Sequence, residues 1–254
     1  MPGYDRLDRR TFVTQLSRSA FGFVILGAAT ACAGDDEPTG EPPAGLRPGG
    51  PTPLATGRWR TVDLGFVAAY VLVRGSEAVV VDAGTEGSEN AILSVLQDAG
   101  TGWSGVSEVI LTHHHPDHVG SVPAVLEAAP GARAYAGELD IPAITSPREL
   151  SALTGGEVVS GLEIVATPGH TAGHISVLDR DARVLVAGDA LNGDGSGGLE
   201  GPNPDFTQDV DRAWESVAAL AALDVAVEAI LPGHGGTVTA DAASKLRGLS
   251  QERA

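Results

Sequence analysis

The sequence predicts a layered α/β domain that follows an N-terminal segment of a different kind. Short runs of aliphatic and β-branched residues alternate with stretches in which apolar residues recur at helical spacing, and this alternation is typical of strands interleaved with helices. The 254 residues are enough for one sizeable core, and 34 Gly with 16 Pro indicate many turns. Because aromatic residues make up only 4% of the chain, we expect an aliphatic core.

Short β-type runs predict the strands. Three of them follow one another closely, at Trp59–Leu64, Val67–Val73 and Ala78–Asp82. Further strands are predicted where short apolar runs lie between turn residues: Val109–Leu111, Arg133–Tyr135, Gly161–Ala166, Ile175–Leu178, Arg183–Ala187 and Ala229–Leu231.

Helical spacing of apolar residues predicts the helices between these strands. The first helix ends before Gly100, and its inward-facing residues are predicted to be Ala91, Ile92, Val95, Leu96 and Ala99. The second has on one face Val119, Val122, Val125 and Leu126. The third is predicted to be capped by Thr207 with Asp209 in its first turn, and to turn inward Trp214, Val217, Ala218 and Ala221. A terminal helix closes the chain.

Polar segments lie beside the ends of apolar strands, and they contain all seven histidines of the chain. The segments are Thr112–His118, Thr167–His174, Ala187–Ala190 and Leu231–Gly235. Because α/β folds usually place their sites at the carboxyl ends of strands and on the following loops, we expect these segments to meet.

The residue types in these segments indicate a metal site. Imidazoles and carboxylates together suit Zn²⁺ and neighbouring transition metals. His113 and His115 are separated by one residue, so they can bind the same ion. Asp117 and His118 lie just beyond, at the entry to a helix, and can turn toward a second ion, while a carboxylate such as Asp189 can bridge two cations.

Two histidines are expected to have other roles. We expect His174 to be a supporting, hydrogen-bonded residue, and we expect His114 to point away because neighbours in an extended loop face opposite sides. A lone His170 or His234 would more often be a surface histidine, but each belongs to a matched set of segments. Glycines precede both, as well as Asp189, and permit sharp turns close to the site.

The spacing His-x-His-x-Asp-His, followed by a distant His, Asp and His, resembles the signature of the metallo-β-lactamase fold superfamily, over about residues 59–240. The matching residues are His113, His115, Asp117, His118, His170, Asp189 and His234. The resemblance implies an αββα sandwich with a dinuclear metal site at one edge of the two sheets. It also implies that Asp82, at the end of an early strand, supports the site.

The resemblance assigns the matched residues to two metals. A first metal would be held by His113, His115 and His170, and a second by Asp117, His118 and His234, with Asp189 bridging. Two Zn²⁺ ions per chain are expected, with iron or manganese as alternatives. Because metal binding lowers the pKa of water to about 7, we expect a metal-bound hydroxide to attack an ester, lactone, thioester or amide, with Asp117 as a catalytic proton carrier.

The branch of the superfamily follows from the ligand types. Cys32 is the only cysteine, and Asp189 is present, whereas two-zinc β-lactamases use a cysteine ligand or lack the bridging Asp. The glyoxalase II-like and lactonase-like groups are therefore closer. Glyoxalase II enzymes carry a C-terminal glutathione-binding region, but only 20 residues follow His234, so we expect a different small-molecule substrate.

Three alternatives stay open at this point: a mononuclear-iron persulfide dioxygenase on the same fold, a β-lactamase-type antibiotic hydrolase, and a metal-binding surface protein without catalysis. Two loop segments, Leu139–Gly156 and Asn192–Gly201, are expected either to line the substrate mouth or to be ordinary surface loops.

The N-terminal residues predict an export signal. A basic stretch, an apolar run of 12 residues from Ala20 to Ala31 and small residues before Cys32 predict a signal peptide over residues 1–32, since a membrane-spanning helix needs about 20 apolar residues. Arg9-Arg10 resembles a twin-arginine signal. Ala29–Cys32 resembles a lipoprotein processing site, with ordinary cleavage near Ala31 as the alternative.

The remaining organisation follows from composition. Residues 33–57 are predicted to be a Pro/Gly-rich linker, and residues 58–254 the metallo-β-lactamase-like hydrolase domain. The net charge of −17 repels phosphate backbones, so nucleic acid is not expected as a partner. We expect an exported protein, either at the outer face of a membrane through a lipid anchor at Cys32, or periplasmic or secreted.

Overall fold

The computed structural model describes residues 57–253. The predicted signal peptide, the lipidation site at Cys32 and residues 33–56 of the predicted linker lie outside the described residues. Within the described part, no helix has the length and apolarity required to cross a membrane.

Strands in the described residues form two large mixed sheets and one small hairpin. In chain order they are β1 (Trp59–Asp63), β2 (Ala68–Arg74), β3 (Glu77–Val81), β4 (Val106–Leu111), β5 (Arg133–Gly137), β6 (Ser151–Leu153), β7 (Val158–Val159), β8 (Leu162–Ala166), β9 (Ile175–Asp179), β10 (Val184–Gly188), β11 (Asn192–Gly193), β12 (Leu199–Glu200) and β13 (Ala229–Pro232). The first sheet has the order β1-β2-β3-β4-β5-β6 and the second β13-β10-β9-β8-β7, while β11 and β12 pair alone.

Helices cover the outer faces of both sheets. They are α1 (Glu89–Asp98), α2 (Pro116–Val119), α3 (Val122–Ala128), α4 (Val210–Ala221) and α5 (Ala242–Gln251), with two short 3₁₀ turns at Trp103–Gly105 and Ile141–Ala143.

Three hydrophobic cores separate four layers. Alternate residues of a strand point to opposite faces of its sheet. In β3, Val80 therefore packs with the apolar residues of α1 and α3, whereas Val79 and Val81 pack against strands of the second sheet. The third core joins the second sheet to α4 and α5. This layering confirms the αββα sandwich.

The predicted second helix is interrupted. It divides at Gly120 and Ser121 into α2 and α3. A Cβ atom at Gly120 would clash with the backbone of Pro116 and of the neighbouring Thr85–Glu86 segment. The chain therefore passes this point too closely for a regular helix with ordinary side chains, although Val119 and Val122 are both buried as predicted.

The prediction for the third helix was wrong in its start and partly in its face. Asp209, not Thr207, is the N-cap, and its carboxylate accepts the Arg212 N–H at 3.0 Å. Thr207 instead donates its hydroxyl to the Asn203 carbonyl oxygen. Ala218 is exposed.

Counted from the observed start, the helical repeat buries a different set of residues, namely Ala213, Ser216, Val217 and Leu220. Trp214 and Ala221 are only partly buried. Alanine-rich helices offer little contrast between faces, so the sequence could not select among the alanines.

The two predicted loop segments also contain secondary structure. Leu139–Gly156 includes a 3₁₀ turn and strand β6, which pairs in parallel with β5. Asn192–Gly201 forms the hairpin of β11 and β12.

The carboxyl ends of the central strands open on one edge of the sandwich. Strands β3 and β4 are parallel, as are β10 and β13. Strand β8 runs in the direction of β10, because both are antiparallel to β9. The Ile175 N–H donates to the Thr112 carbonyl oxygen at 2.9 Å and joins the two sheets at this edge. All four predicted polar segments therefore begin here.

Away from this edge, a buried carboxylate links the two sheets by a hydrogen bond. Asp179, at the end of β9, is completely buried. Its Oδ2 accepts the Trp59 Nε1–H of the first sheet at 3.1 Å, and its Oδ1 accepts the Ala182 N–H at 3.0 Å. The Arg74 guanidinium lies 3.8 Å away. Since each of these donors is directed at one side chain, Asp179 contributes to the stability of the sandwich.

We expect Asp179→Ala to lower the free energy of unfolding by about 1–3 kcal/mol, because the indole N–H of Trp59 would be buried without an acceptor. Urea unfolding followed by tryptophan fluorescence measures this loss. Asp224→Ala is the control, since Asp224 is an exposed partner of Arg180 and its removal should leave the midpoint nearly unchanged. Equal losses in the two variants would contradict the role given to Asp179.

Candidate metal centre

Loops that follow five strands supply the side chains of the centre. The loop after β4 enters α2 and carries the His-x-His-x-Asp-His segment, and the loop between β8 and β9 carries His170. Asp189 follows β10 directly, and His234 comes two residues after β13. Asp82 follows β3 at the centre of the same edge.

The side chains form two groups of metal-binding atoms, each with its atoms within 4.8 Å of one another. The first group is His113, His115, His170 and Asp189, and the second is Asp117, His118 and His234. The structure thus brings together all seven residues that the sequence predicted as ligands.

Asp189 lies between the two groups. Its Oδ2 is 3.3 Å from His170 Nε2 in the first group and 3.2 Å from His234 Nε2 in the second. Its Oδ1 is 3.2 Å from His118 Nε2. A carboxylate that lies this close to side chains of both groups has the position that a bridging ligand requires.

Unpartnered buried atoms show that the residues suit a cation. His113 Nε2 and Asp189 Oδ1 are buried without a hydrogen-bond partner, although buried polar atoms are nearly always paired. His115 Nδ1 faces His170 Nε2 at 2.9 Å. A cation between such donors would satisfy atoms that the protein itself leaves without partners.

Polar contacts on the far side of three ligand rings fix which nitrogen faces the centre. The Nδ1–H of His234 donates to the Phe66 carbonyl oxygen at 2.6 Å, and because a carbonyl only accepts, Nε2 is left without a proton in the neutral ring. The Nδ1 of His118 lies 2.8 Å from Asp82 Oδ2. The Nδ1 of His170 lies 3.2 Å from the Thr207 hydroxyl.

Asp82 holds the first loop by several bonds. Its carboxylate accepts the Thr112 N–H at 2.7 Å and the Thr112 hydroxyl at 2.8 Å, besides contacting His118. The same hydroxyl is 3.1 Å from His113 Nδ1. The φ of Asp82 is 64°, in the left-handed region that residues with a side chain rarely adopt. Asp82 therefore orients ligands of both groups, as the resemblance implied.

The two remaining histidines stand outside both groups. His174 Nε2 accepts the Asp189 N–H at 3.1 Å, so its Nδ1 carries the proton and donates to Thr167 Oγ1 at 2.8 Å. Both nitrogens are thus engaged, and His174 supports the backbone of Asp189. His114 Nδ1 lies 3.0 Å from Asp140 Oδ2.

Burial keeps the three imidazoles of the first group uncharged. Desolvation lowers the pKa of His113 well below its usual value and that of His170 to about 4. It also lowers the pKa of His115. At neutral pH these three imidazoles offer lone pairs rather than protons, which is the state that metal binding needs.

In the second group, neighbouring carboxylates determine the direction in which the histidine pKa values shift. Burial opposes charge on His118, but Asp189 and Asp82 raise its pKa well above the usual value. Burial likewise opposes charge on His234, but hydrogen bonds with Asp117 and Asp189 raise its pKa to about 10. Although burial alone would raise it, the pKa of Asp189 is held well below its usual value by His118 and the neighbouring imidazoles. Without metal, protons thus supply the positive charge that the carboxylates attract.

Two glycines allow the backbone to pass close to the histidine and aspartate side chains of the centre. Gly188 has a φ of 54°, and a Cβ atom there would lie 2.7 Å from His174 Nε2. A Cβ atom at Gly233 would clash with Asp189 Oδ1 and lie 2.6 Å from His118 Cε1. Glycine is therefore required at both positions, as the sequence predicted for those preceding Asp189 and His234.

The second group is the more open one. Two side chains of the second group, Asp117 and His234, are 26% and 27% exposed, whereas His113 and His170 of the first group are 0% and 1% exposed. His118 is the fully buried member of the second group. Phe66 is 65% exposed, and its ring stacks on that of His234 with 6.2 Å between the ring centroids. The exposed side of the centre therefore lies beside Phe66.

Sequence reasoning missed three residues that contact the ligands. Phe66 lies in the β1–β2 turn, Thr112 precedes the first histidine, and Thr207 was interpreted as a helix cap. Single hydroxyls and a backbone carbonyl carry no motif of their own, so only the folded structure identifies them.

Comparison with known proteins identifies the family. The sequence model of the Metallo-beta-lactamase superfamily matches residues 62–234. The chain belongs to the metallo-β-lactamase superfamily. Members of this superfamily are generally hydrolases, and the His/Asp cluster described above is its metal-binding centre.

Two relatives show the breadth of the similarity. The chain is 32% identical over 214 residues to the probable metallo-hydrolase YflN of Bacillus subtilis, covering 63% of this chain and 76% of the relative. It is 35% identical over 150 residues to a hydroxyacylglutathione hydrolase of Cereibacter sphaeroides, covering 58% of this chain. The match spans 53% of that enzyme, or about half of its length.

Solved structures share the fold. TTHA1623 in a di-iron-bound form is 27% identical and matches with a TM-score of 0.58, covering 73% of this chain and 92% of that chain. The B3 metallo-β-lactamase BLEG-1 is 23% identical and matches with a TM-score of 0.62, covering 75% of this chain and 99% of that chain. The second likeness shows the fold alone.

The position of Asp189 leads to a prediction about metal content. After zinc loading and dialysis, we expect two equivalents in the unmodified protein and about one in His234→Ala. Asp189→Ala should bind zinc more weakly in both groups, because its carboxylate contacts ligands of each. Elemental analysis measures the content, with the exposed Asp205→Ala as control. Two retained equivalents in Asp189→Ala would refute the bridging position.

Proposed function

We propose that the protein is a dinuclear metal-dependent hydrolase that cleaves an ester, lactone, thioester or amide bond of a small molecule. The observation that carries this proposal is the pair of ligand groups that share Asp189. Relatives named as metallo-hydrolase and hydroxyacylglutathione hydrolase support hydrolysis as the reaction class.

Zinc is the metal we propose. Five imidazoles and two carboxylates form the donor set, and such nitrogen and oxygen ligands suit Zn²⁺. The 27%-identical structure solved in a di-iron form favours iron as the second candidate. Since donors of this kind accept both metals, the content of the natively purified protein decides between them.

His113, His115 and His170 would hold one ion and Asp117, His118 and His234 the other, with Asp189 between them. When bound there, the metal ions would supply an activated water near neutral pH and polarise the substrate carbonyl. The protein contributes a fixed frame, because hydrogen bonds beyond the ligands set the orientation of the rings.

Asp117 is the residue we propose for proton transfer. It lies on the open side of the centre, its Oδ2 is 3.3 Å from His234 Nε2, and a quarter of its side chain is exposed. The His234 contact lowers the pKa of Asp117 although burial opposes this, so the carboxylate is ionised at neutral pH and can accept a proton.

Ligand types support ester, lactone or thioester cleavage over antibiotic hydrolysis. Neither group contains a thiolate, and Asp189 would bridge the two ions. The exposed ring of Phe66 beside His234 offers an apolar wall for an acyl group.

Export is a further part of the proposal. The Arg9-Arg10 pair, the apolar run and Cys32 support a twin-arginine signal with a lipid anchor. The hydrolase domain would then work outside the cytoplasm.

A hydrolysis screen tests the reaction. We expect the zinc-loaded protein to cleave members of a panel of lactones, esters, thioesters and β-lactams, and a chelator to abolish the activity. Asp117→Asn should lower kcat by about 100-fold or more, because a positioned proton carrier contributes about 10²–10⁴-fold. Asp205→Asn, at an exposed site, is the control and should keep full activity.

Two outcomes would contradict the hydrolase. One iron per chain with oxygen consumption would favour the dioxygenase reaction. A protein that holds two metals but cleaves nothing in the panel would favour metal binding without catalysis.

The anchor has its own test. When the full chain is expressed in a bacterium with twin-arginine export, we expect it in the membrane fraction with a lipid on Cys32, and Cys32→Ser should release it in soluble form. Mass spectrometry of the N-terminal peptide gives the modification. An unlipidated N-terminus after Ala31 would show ordinary cleavage instead.

A further inference from the structure

A buried carboxylate lies just outside the metal-binding groups. Asp140 follows strand β5 and is 1% exposed. It belongs to neither group of metal-binding atoms, and no motif in the sequence singled it out. Its position between two ligand-bearing loops raises the question of what it holds.

Asp140 bonds to both loops that supply the first group. Its Oδ2 accepts the N–H of His114, between ligands His113 and His115, at 3.1 Å. The same oxygen accepts the Thr171 hydroxyl at 2.6 Å, directly after ligand His170.

A further bond and a close contact complete the junction. Asp140 Oδ1 accepts the Gly173 N–H at 2.8 Å. His114 Nδ1 lies 3.0 Å from Oδ2, although it lacks the alignment of a hydrogen bond. One carboxylate thus joins the loop after β4 to the loop between β8 and β9.

The two segments of this junction pack tightly against each other. A Cβ atom at Gly173 would lie 2.5 Å from the Asp140 backbone nitrogen and 2.7 Å from its Oδ1. A Cβ atom at Gly137 would clash with the Gly173 carbonyl oxygen. The segment that carries Asp140 therefore contacts the second loop directly, and no side chain fits between them at either glycine.

The separation of the two loops determines the geometry of the first group. His115 Nδ1 comes from one loop and His170 Nε2 from the other, and they face each other at 2.9 Å. Metal ligands must keep their distances within a few tenths of an ångström. A side chain that fixes both loops therefore affects the first group more than the second.

We propose that Asp140 is a positioning residue for the first metal group: by bonding His114, Thr171 and Gly173 it holds His113 and His115 at the right distance from His170. The proposal rests on the metal centre of the proposed function but not on its reaction. It applies to metal affinity, which can be measured without any substrate.

The test is a zinc titration of the metal-free protein against a chelating indicator, which yields two dissociation constants. His170→Ala and His234→Ala assign each constant to a group. We expect Asp140→Asn and Asp140→Ala to weaken zinc binding by the first group by about 10- to 100-fold. This is the usual effect of losing a partner that orients metal ligands. The second group should change by less than about threefold.

Matched variants separate positioning from general stability. Asp179→Asn removes an equally buried carboxylate that contacts neither loop, so it should lower the unfolding midpoint and leave both zinc constants unchanged. Thr171→Val keeps Asp140 but removes one bond, and should give a smaller loss confined to the first group. Asp140→Asn, which keeps an acceptor oxygen, should lose less zinc affinity in the first group than Asp140→Ala.

Several results would overturn the proposal. Asp140 is only structural if Asp140→Ala weakens zinc binding by both groups equally. The same conclusion follows if Asp140→Ala lowers the unfolding midpoint, as Asp179→Asn does, but leaves both zinc dissociation constants unchanged. If Asp140→Ala does not fold, Thr171→Val decides by the same criterion. An unmodified protein that binds no zinc would instead overturn the proposed function itself.

Discussion

Asp189 carries a negative charge in a site where little water reaches it, and the surrounding structure compensates for that charge. It is 6% exposed and lies within hydrogen-bonding range of imidazoles from three separate loops. Burial of an ionised carboxylate is costly unless cations or donors surround it. Protons on His118 and His234 meet this need without metal, and bound cations would also satisfy His113 Nε2, which is buried without a hydrogen-bond partner.

The rest of the fold keeps these groups close together. Strands end at one edge, and carboxylates outside the two ligand groups fix the loops that follow: Asp82 holds Thr112 and His118, and we propose that Asp140 fixes the separation of the two loops of the first group. Metal sites depend on such partners almost as strongly as on the ligands themselves. Elsewhere, Asp179 joins the same two sheets and has no part in the chemistry.

Sequence patterns revealed the centre because its residue types are unusual and its spacing is specific. The seven predicted ligands meet in the structure, and the nine predicted strands differ from their observed bounds by only a few residues. The short strands β6, β7, β11 and β12 were not predicted. The patterns could not find Thr207 or Asp140, because their roles depend on which loops become neighbours after folding. They also misplaced the start of α4, since both Thr207 and Asp209 are good caps. Only the folded structure shows that Asp209 caps the helix while the Thr207 hydroxyl contacts Asn203 and His170.

The central claim is that one carboxylate joins two metal groups at this edge, and anomalous X-ray diffraction from crystals of the natively purified protein tests it most directly. Data collected at the zinc and iron absorption edges identify the metal and its place together. We predict two peaks, one among His113, His115 and His170 and the other among Asp117, His118 and His234, with Asp189 contacting both. A single peak, or peaks away from these residues, would contradict the account.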